Sequence, residues 1–210
     1  HRRAGGFRAR PAPVRGRAVT TPAIRPPYLD PAADALLAAA PTPRRALFLD
    51  RDGVINVNHG YVHAPAQTDW VPGIFELVGE AAARGYLAIV VTNQAGIARG
   101  LYDEAAFLDY TGWMHREFAR RGTPLLATYW CPHHPEAGQG GYRVACACRK
   151  PAPGMLLAAL TRFALMPGAS FLVGDHDSDV LAAAGAGVAG RRVDRADWGD
   201  AMAGLLAFAP

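Results

Sequence analysis

The stretch Ala46-Leu-Phe-Leu-Asp50-Arg51-Asp52-Gly53-Val54 constrains the fold more than any other part of the chain. A short apolar run of this kind reads as a strand buried on both faces, and it ends in two carboxylates one residue apart. In open α/β sheets, ligands bind in the crevice at the carboxyl ends of the strands, so Asp50 and Asp52 stand where chemistry is usually done. Taken alone, Asp-Arg-Asp-Gly also reads as a polar turn, since Asp and Gly serve turns for purely local reasons. The remainder of the chain decides between the two.

From Arg44 onward, apolar runs and helical periods alternate. Strands are expected at Leu47–Asp50, Leu87–Thr92, Leu125–Trp130, Ser170–Gly174 and Val188–Val193. Helices are expected at Pro72–Arg84, Asp103–Arg121, Pro153–Phe163, Ser178–Ala186 and Asp197–Phe208, with Ser178 or Asp177 capping the fourth. This alternation predicts a three-layer α/β fold around a mostly parallel sheet. The chain has 210 residues, 50% of them hydrophobic, enough for one domain with a sizeable core. No apolar run approaches the roughly 18 residues that span a bilayer.

Residues 1–43 form an Arg/Pro-rich arm, expected to be flexible except for a short helix within Pro31–Ala40, and the α/β domain is placed at 44–210. Residues 1–45 hold nine Arg against Asp30 and Asp34, a net +7 within a total of +4, so the remainder carries −3. The basicity therefore belongs to the arm, where a nucleic-acid contact is the alternative to a solvated tail. The Leu36–Ala40 stretch is too short for a signal-peptide core. The chain does not begin with Met, which leaves open whether its native start is included.

Three strand ends carry polar clusters: Asp50-Arg-Asp52, Thr92-Asn93-Gln94-Ala95-Gly96, and Gly174-Asp175-His176-Asp177-Ser178-Asp179. A fourth cluster, Arg149-Lys150-Pro151, contains the only lysine of the chain. Phosphoryl transfer needs an in-line nucleophile, a proton source for the leaving oxygen, and positive charge over the equatorial oxygens. Asp50 can attack phosphorus to form an aspartyl-phosphate. Asp52 can protonate the departing alcohol and then deprotonate the water that clears the intermediate. Two carboxylates beside a phosphate repel it, and a divalent cation resolves the conflict. Oxygen donors from Asp50, Asp175 and the Asp52 carbonyl suit Mg²⁺. Lys150 and the Thr92 hydroxyl are placed to stabilise phosphoryl oxygens, and Asp179 to orient them.

Through Asp50-x-Asp52-x-Val54, Thr92, Lys150 and Gly174-Asp175-x-x-x-Asp179, residues 44–195 resemble the haloacid-dehalogenase-like (HAD) phosphatase superfamily. The segments Asp50–Asn56, His59–Val62, Val91–Gly100, Cys131–Pro135 and Cys146–Met155 narrow the resemblance to heptose-bisphosphate and histidinol phosphatases. The resemblance implies the same Mg²⁺ ligand set and a Rossmann-like fold. With no segment long enough for a large cap domain, the Asn56–Val71 and Trp130–Arg149 loops are left to shape an open pocket. It also implies that the segments holding Asn58, His59, Gly60, Tyr61 and Arg99, together with Arg149, contact a sugar phosphate. Asn93, Gln94 and His176 join them as substrate-side candidates. For His59, Tyr61 and Arg99 an ordinary solvated loop is the competing reading. Two residues depart from the subgroup pattern: Ala95 where Ser is usual, and His176 where Lys is usual, which replaces a fixed cation by a group titrating near neutrality.

All three cysteines fall in Cys131-x-His133…Cys146-x-Cys148, two close pairs of soft or borderline ligands that suit tetrahedral Zn²⁺. Against this stand buried free thiols, or one disulfide with a leftover thiol. His134 is a weaker candidate ligand. The subgroup carries a structural zinc in this loop. A closed four-ligand site folds the loop and hydrolyses nothing, and it precedes the segment that presents Arg149 and Lys150. Thiolate ligation favours a reducing compartment, hence cytoplasm. The expectation is a monomeric Mg²⁺-dependent phosphomonoesterase acting on a small phosphorylated metabolite. Heptose 1,7-bisphosphate is the lead substrate and histidinol phosphate the second. A DNA-end phosphatase and a non-catalytic nucleic-acid binder using the basic arm compete with this reading.

Overall fold

In a computed structural model, residues 23–193 are described. Tyr28–Leu29 (β1) and Ala33–Ala39 (α1) come first, followed by the central strand Arg45–Leu49 (β2). Ile74–Ala83 (α2), Tyr86–Asn93 (β3), Ala95–Ala98 (α3), Glu104–Arg120 (α4) and Ala127–Cys131 (β4) build one side of it. Gly154–Phe163 (α5), Phe171–Gly174 (β5), Asp177–Gly185 (α6) and Ala189–Arg192 (β6) build the other. The sheet order is β1-β4-β3-β2-β5-β6, parallel throughout except for β1 against β4.

Residues 46–49 of strand β2 lie fully inside, and their alternate side chains feed two different cores. Ala46 and Phe48 pack with Met155, Leu156, Ala159 and Ala182 of α5 and α6. Leu47 and Leu49 pack with Ile74, Val78, Met114 and Phe118 of α2 and α4. Burial on both faces is why the run reads apolar without alternation. Truncating Phe48, which is wholly buried, would cost about 3–5 kcal/mol.

The chain runs from β2 outward through β3 to β4, then crosses back to β5 on the opposite flank of β2. The order therefore reverses beside β2, and a crevice opens at its carboxyl end. The expected elements between 44 and 193 are all present with ends shifted by one or two residues. The closing helix expected at Asp197–Phe208 and residues 1–22 of the arm lie outside the described residues. Residues 23–43 differ from a free arm. Tyr28 and Leu29 pair with Thr128 and Ala127, and Asp30, joined to His115 at 3.0 Å, pins the segment to α4. Capping of α6 also differs. Neither Ser178 nor Asp177 caps it: His176 is the N-cap, and Asp179 Oδ2 accepts from the His176 N–H at 3.0 Å.

Candidate active site and thiol cluster

Asp50 directly follows β2, and its N–H still donates to Val173 O of β5 at 3.0 Å, so the strand ladder fixes where its carboxylate points. Lys150 reaches it from the loop before α5. Its ammonium lies 3.0 Å from Asp50 Oδ1 and 2.6 Å from Asp179 Oδ1, and donates to Val91 O at 2.8 Å. The ammonium is thus ion-paired with two acids and hydrogen-bonded to one carbonyl. Burial works to lower the Lys150 pKa, but Asp50 and Asp179 outweigh it and hold the ammonium charged. Burial, helped by Asp179 and Asp175 and opposed by Lys150, pushes Asp50 up to about 7.

Carboxylate oxygens of Asp50, Asp175 and Asp179 lie within 4.8 Å of one another. Lys150 supplies a single positive charge to that group, and Asp175 Oδ1 is buried without a hydrogen-bond partner. Excess buried negative charge and an orphaned hard oxygen fit a divalent cation with oxygen ligands. Gly53 makes the approach possible. Its φ is +91°, and a Cβ there would stand 2.1 Å from Asp175 Oδ2.

Asp52 is held by three groups. Arg51 Nη2 donates to Oδ2 at 2.7 Å and to Oδ1 at 2.9 Å, Asn56 Nδ2 donates to Oδ1 at 3.0 Å, and Gln94 Nε2 to Oδ2 at 3.3 Å. Arg51 is wholly buried, donates also to Val62 O at 2.6 Å, and faces the rings of Tyr110 and Phe107 at 5.2 and 5.9 Å.

A cavity of about 450 Å³ is lined by Asp50, Asp52, Asn58, Gly60, Tyr61, Asn93, Gln94, Arg149, Lys150, His176 and Asp179, among others. Most of the expected substrate-side residues therefore meet at one place. His59 and Arg99 do not line it: His59 pairs with Asp69 at 2.7 Å, and the Arg99 guanidinium sits 6.0 Å from the Tyr61 ring centroid. Asn93 is committed elsewhere, clamping the Lys150 backbone by two reciprocal hydrogen bonds of 3.0 Å. Thr92 is buried, and its hydroxyl accepts from Gln94 Nε2 at 2.8 Å. His176 places its imidazole 3.7 Å from Asp175 Oδ2, largely exposed.

In the second cluster, Cys148 Sγ is 3.1 Å from Cys131 Sγ and 3.2 Å from Cys146 Sγ, Cys131 and Cys146 are 3.5 Å apart, and His133 Nδ1 is 3.4 Å from Cys148 Sγ. These separations exceed a disulfide bond by over an ångström, and all three cysteines are free. Hydrogen bonds from Cys131, Cys146 and His133 pull Cys148 down to about 5, while hydrogen bonding to Cys148 and burial push Cys131 up. Three thiolates cannot share this space without a cation, and four convergent soft donors fit zinc. His134 stays out of the group: its Nδ1 accepts from the N–H groups of Glu136 and Ala137.

Arg51 and Tyr102 are the residues sequence reasoning missed. Arg51 looked like part of a turn, and its only signal is a charge inside an otherwise buried motif. Tyr102 lies in a loop without periodicity, yet it lines the cavity and donates to Gln94 Oε1 at 2.6 Å.

A carboxylate-bearing strand end at the sheet's switch point, with a lysine and two further acids around it, is the arrangement of a HAD-type phosphoryl-transfer site. The HAD-hydrolase-like family pattern matches residues 147–195. Over 144 residues, 69% of this chain and 76% of the relative, the sequence is 56% identical to a D-glycero-alpha-D-manno-heptose-1,7-bisphosphate 7-phosphatase of Burkholderia mallei (strain ATCC 23344). A solved HAD-like protein of Mesorhizobium loti superposes with a TM-score of 0.72 at 33% identity, covering 81% of this chain and 90% of that one. The D,D-heptose 1,7-bisphosphate phosphatase of B. bronchiseptica, solved with magnesium and phosphate, superposes with a TM-score of 0.62 at 35% identity, covering 70% and 78%. The chain belongs to the HAD phosphatase superfamily, within the group of heptose-bisphosphate phosphatases. It is a phosphoric monoester hydrolase.

Proposed function

We propose that the protein removes the 7-phosphate of D-glycero-D-manno-heptose 1,7-bisphosphate. The observation that carries this reading is the clustering of Asp50, Asp175 and Asp179 around Lys150 at the edge of one cavity, in a chain 56% identical to a phosphatase of that name. Asp50 Oδ2 is the attacking atom, because Oδ1 is occupied by Lys150 and the Arg51 N–H. Asp52 gives a proton to the leaving sugar oxygen and takes one from the water that cleaves the aspartyl-phosphate. Lys150 spreads positive charge toward the phosphoryl oxygens.

Asp50, Asp175 and the Asp52 carbonyl would hold Mg²⁺, with Asp179 orienting Lys150. When bound, the ion would neutralise the acids and polarise a phosphate oxygen. Cys131, His133, Cys146 and Cys148 would hold a structural Zn²⁺. Two connections tie their loop to the acid cluster: Cys148 precedes Arg149-Lys150 directly, and Cys131 O accepts from Gln94 N at 2.8 Å. The substrate side is the cavity wall of Asn58, Gly60, Tyr61, Arg149 and His176; His59 and Arg99 act only from outside it. The cytoplasm is the compartment that fits the thiolate site.

A phosphate-release screen tests the assignment. Heptose 1,7-bisphosphate is expected to give the highest kcat/KM, above histidinol phosphate, simple sugar phosphates and 3′-phosphorylated oligonucleotides. Preference for any of these three would contradict it.

A further inference from the structure

We propose that Tyr102 and Gln94 are positioning residues that aim the proton-carrying oxygen of Asp52. The proposal rests on the role given above to Asp52. Gln94 is only 1% exposed, and all three of its side-chain contacts are internal. Nε2 donates to Thr92 Oγ1 at 2.8 Å and to Asp52 Oδ2 at 3.3 Å, and Oε1 accepts from the Tyr102 hydroxyl at 2.6 Å. The amide has one workable orientation. Turning it over would set Oε1 against the Asp52 carboxylate, so Nε2 faces the acid and Tyr102 must donate.

One consequence follows for the reaction. On Asp52, Oδ1 receives Arg51 Nε, Arg51 Nη2 and Asn56, whereas Oδ2 receives Arg51 Nη2 and the long Gln94 contact. Oδ2 is therefore the less committed oxygen, and the one that carries the proton. Tyr102 is itself locked against α3. A Cβ on Gly96 would stand 2.2 Å from the Tyr102 ring, and His63 stacks on that ring with centroids 4.6 Å apart.

Comparison of two leaving groups separates this role from simple packing. An alkoxide leaving from the sugar needs a proton from Asp52, whereas p-nitrophenolate leaves without one. Tyr102→Phe keeps the ring and loses only the donor. It is expected to lower kcat/KM for heptose 1,7-bisphosphate by about tenfold with KM within about twofold, and to change kcat/KM for p-nitrophenyl phosphate less than about twofold, because kcat/KM ends with formation of the aspartyl-phosphate and does not register the later step in which Asp52 acts as base. In a Gln94→Leu background, Tyr102→Phe is expected to add nothing further. Equal losses on both substrates, additive losses, or unchanged kinetics in Tyr102→Phe would each overturn the proposal. Asp52→Asn serves as the reference: if it hydrolyses the sugar phosphate at the wild-type rate, the role of Asp52 fails, whereas an inactive Asp52→Asn beside an unaffected Tyr102→Phe sinks the relay alone.

Discussion

At the scale of single residues, the site is a problem of charge placed where water is scarce. Asp50, Lys150 and Asp179 are all buried, and Lys150 meets two acids at once. A third acid, Asp175, retains an oxygen with no partner, which is where a cation is needed. Gly53 is the residue that allows this crowding. Gly53→Ala is expected to raise the Mg²⁺ concentration for half-maximal activity by about 10–100-fold, since Asp175 must move away from the added methyl. A Mg²⁺ titration of phosphate release measures it, and an unchanged midpoint would count against Asp175 as a ligand. The carboxylates and the lysine were legible in the sequence, because their chemistry is carried by residue type and by position at a strand end, whereas Gly53 read there only as a turn residue. Arg51 was not, because a guanidinium between two aspartates looks the same whether it is solvated or wholly buried.

At the scale of elements, buried parallel strands were legible as unbroken apolar runs and helices by their period, so β2 to β6 appear close to where they were expected. Strand β1 was not legible. Two residues, Tyr28 and Leu29, carry no periodicity, and what holds them is a hydrogen bond between residues 85 apart, Asp30 and His115. His115 Nε2 also meets Thr128 Oγ1 at 2.9 Å, tying α4 to β4. Burial works to raise the Asp30 pKa, but hydrogen bonds from His115 and the Ala32 N–H outweigh it and hold the carboxyl below its usual value. A depressed folded-state pKa contributes stability above the unfolded value of about 3.9 and loses it as pH falls through the folded value. Asp30→Asn should therefore be less stable than wild type in urea at neutral pH by about 1–2 kcal/mol. The gap should close as pH drops below about 4; a gap independent of pH would contradict the reading that these hydrogen bonds favour the charged carboxylate.

The loop between β4 and α5 belongs to the same scale. Its four soft donors converge on one point, and the Asn93 clamp next to Cys131 joins it to Lys150. Cys146→Ser is expected to lose bound zinc, measured by atomic absorption, together with several degrees of thermal stability and most of the activity. Wild-type protein purified without zinc yet fully active and equally stable would contradict this.

At the scale of the whole molecule, the fold delivers residues from distant parts of the chain to one crevice. The reversal of strand order beside β2 brings β3, β5 and the segment before α5 to the same edge. Element order made that crevice foreseeable. Its walls were less so: His59 and Arg99 follow strand ends as well as Asn58 and Tyr61 do, and only the loop path decides which of them face the cavity. The central claim is that Asp50 is transiently phosphorylated, and acid-quenching the enzyme during turnover of heptose 1,7-bisphosphate, followed by peptide mass spectrometry, tests it most directly. The predicted result is a phosphoryl group on the peptide containing Asp50, absent from the Asp50→Asn protein. Phosphate release by Asp50→Asn at the wild-type rate, with no phosphorylated peptide in either protein, would contradict it.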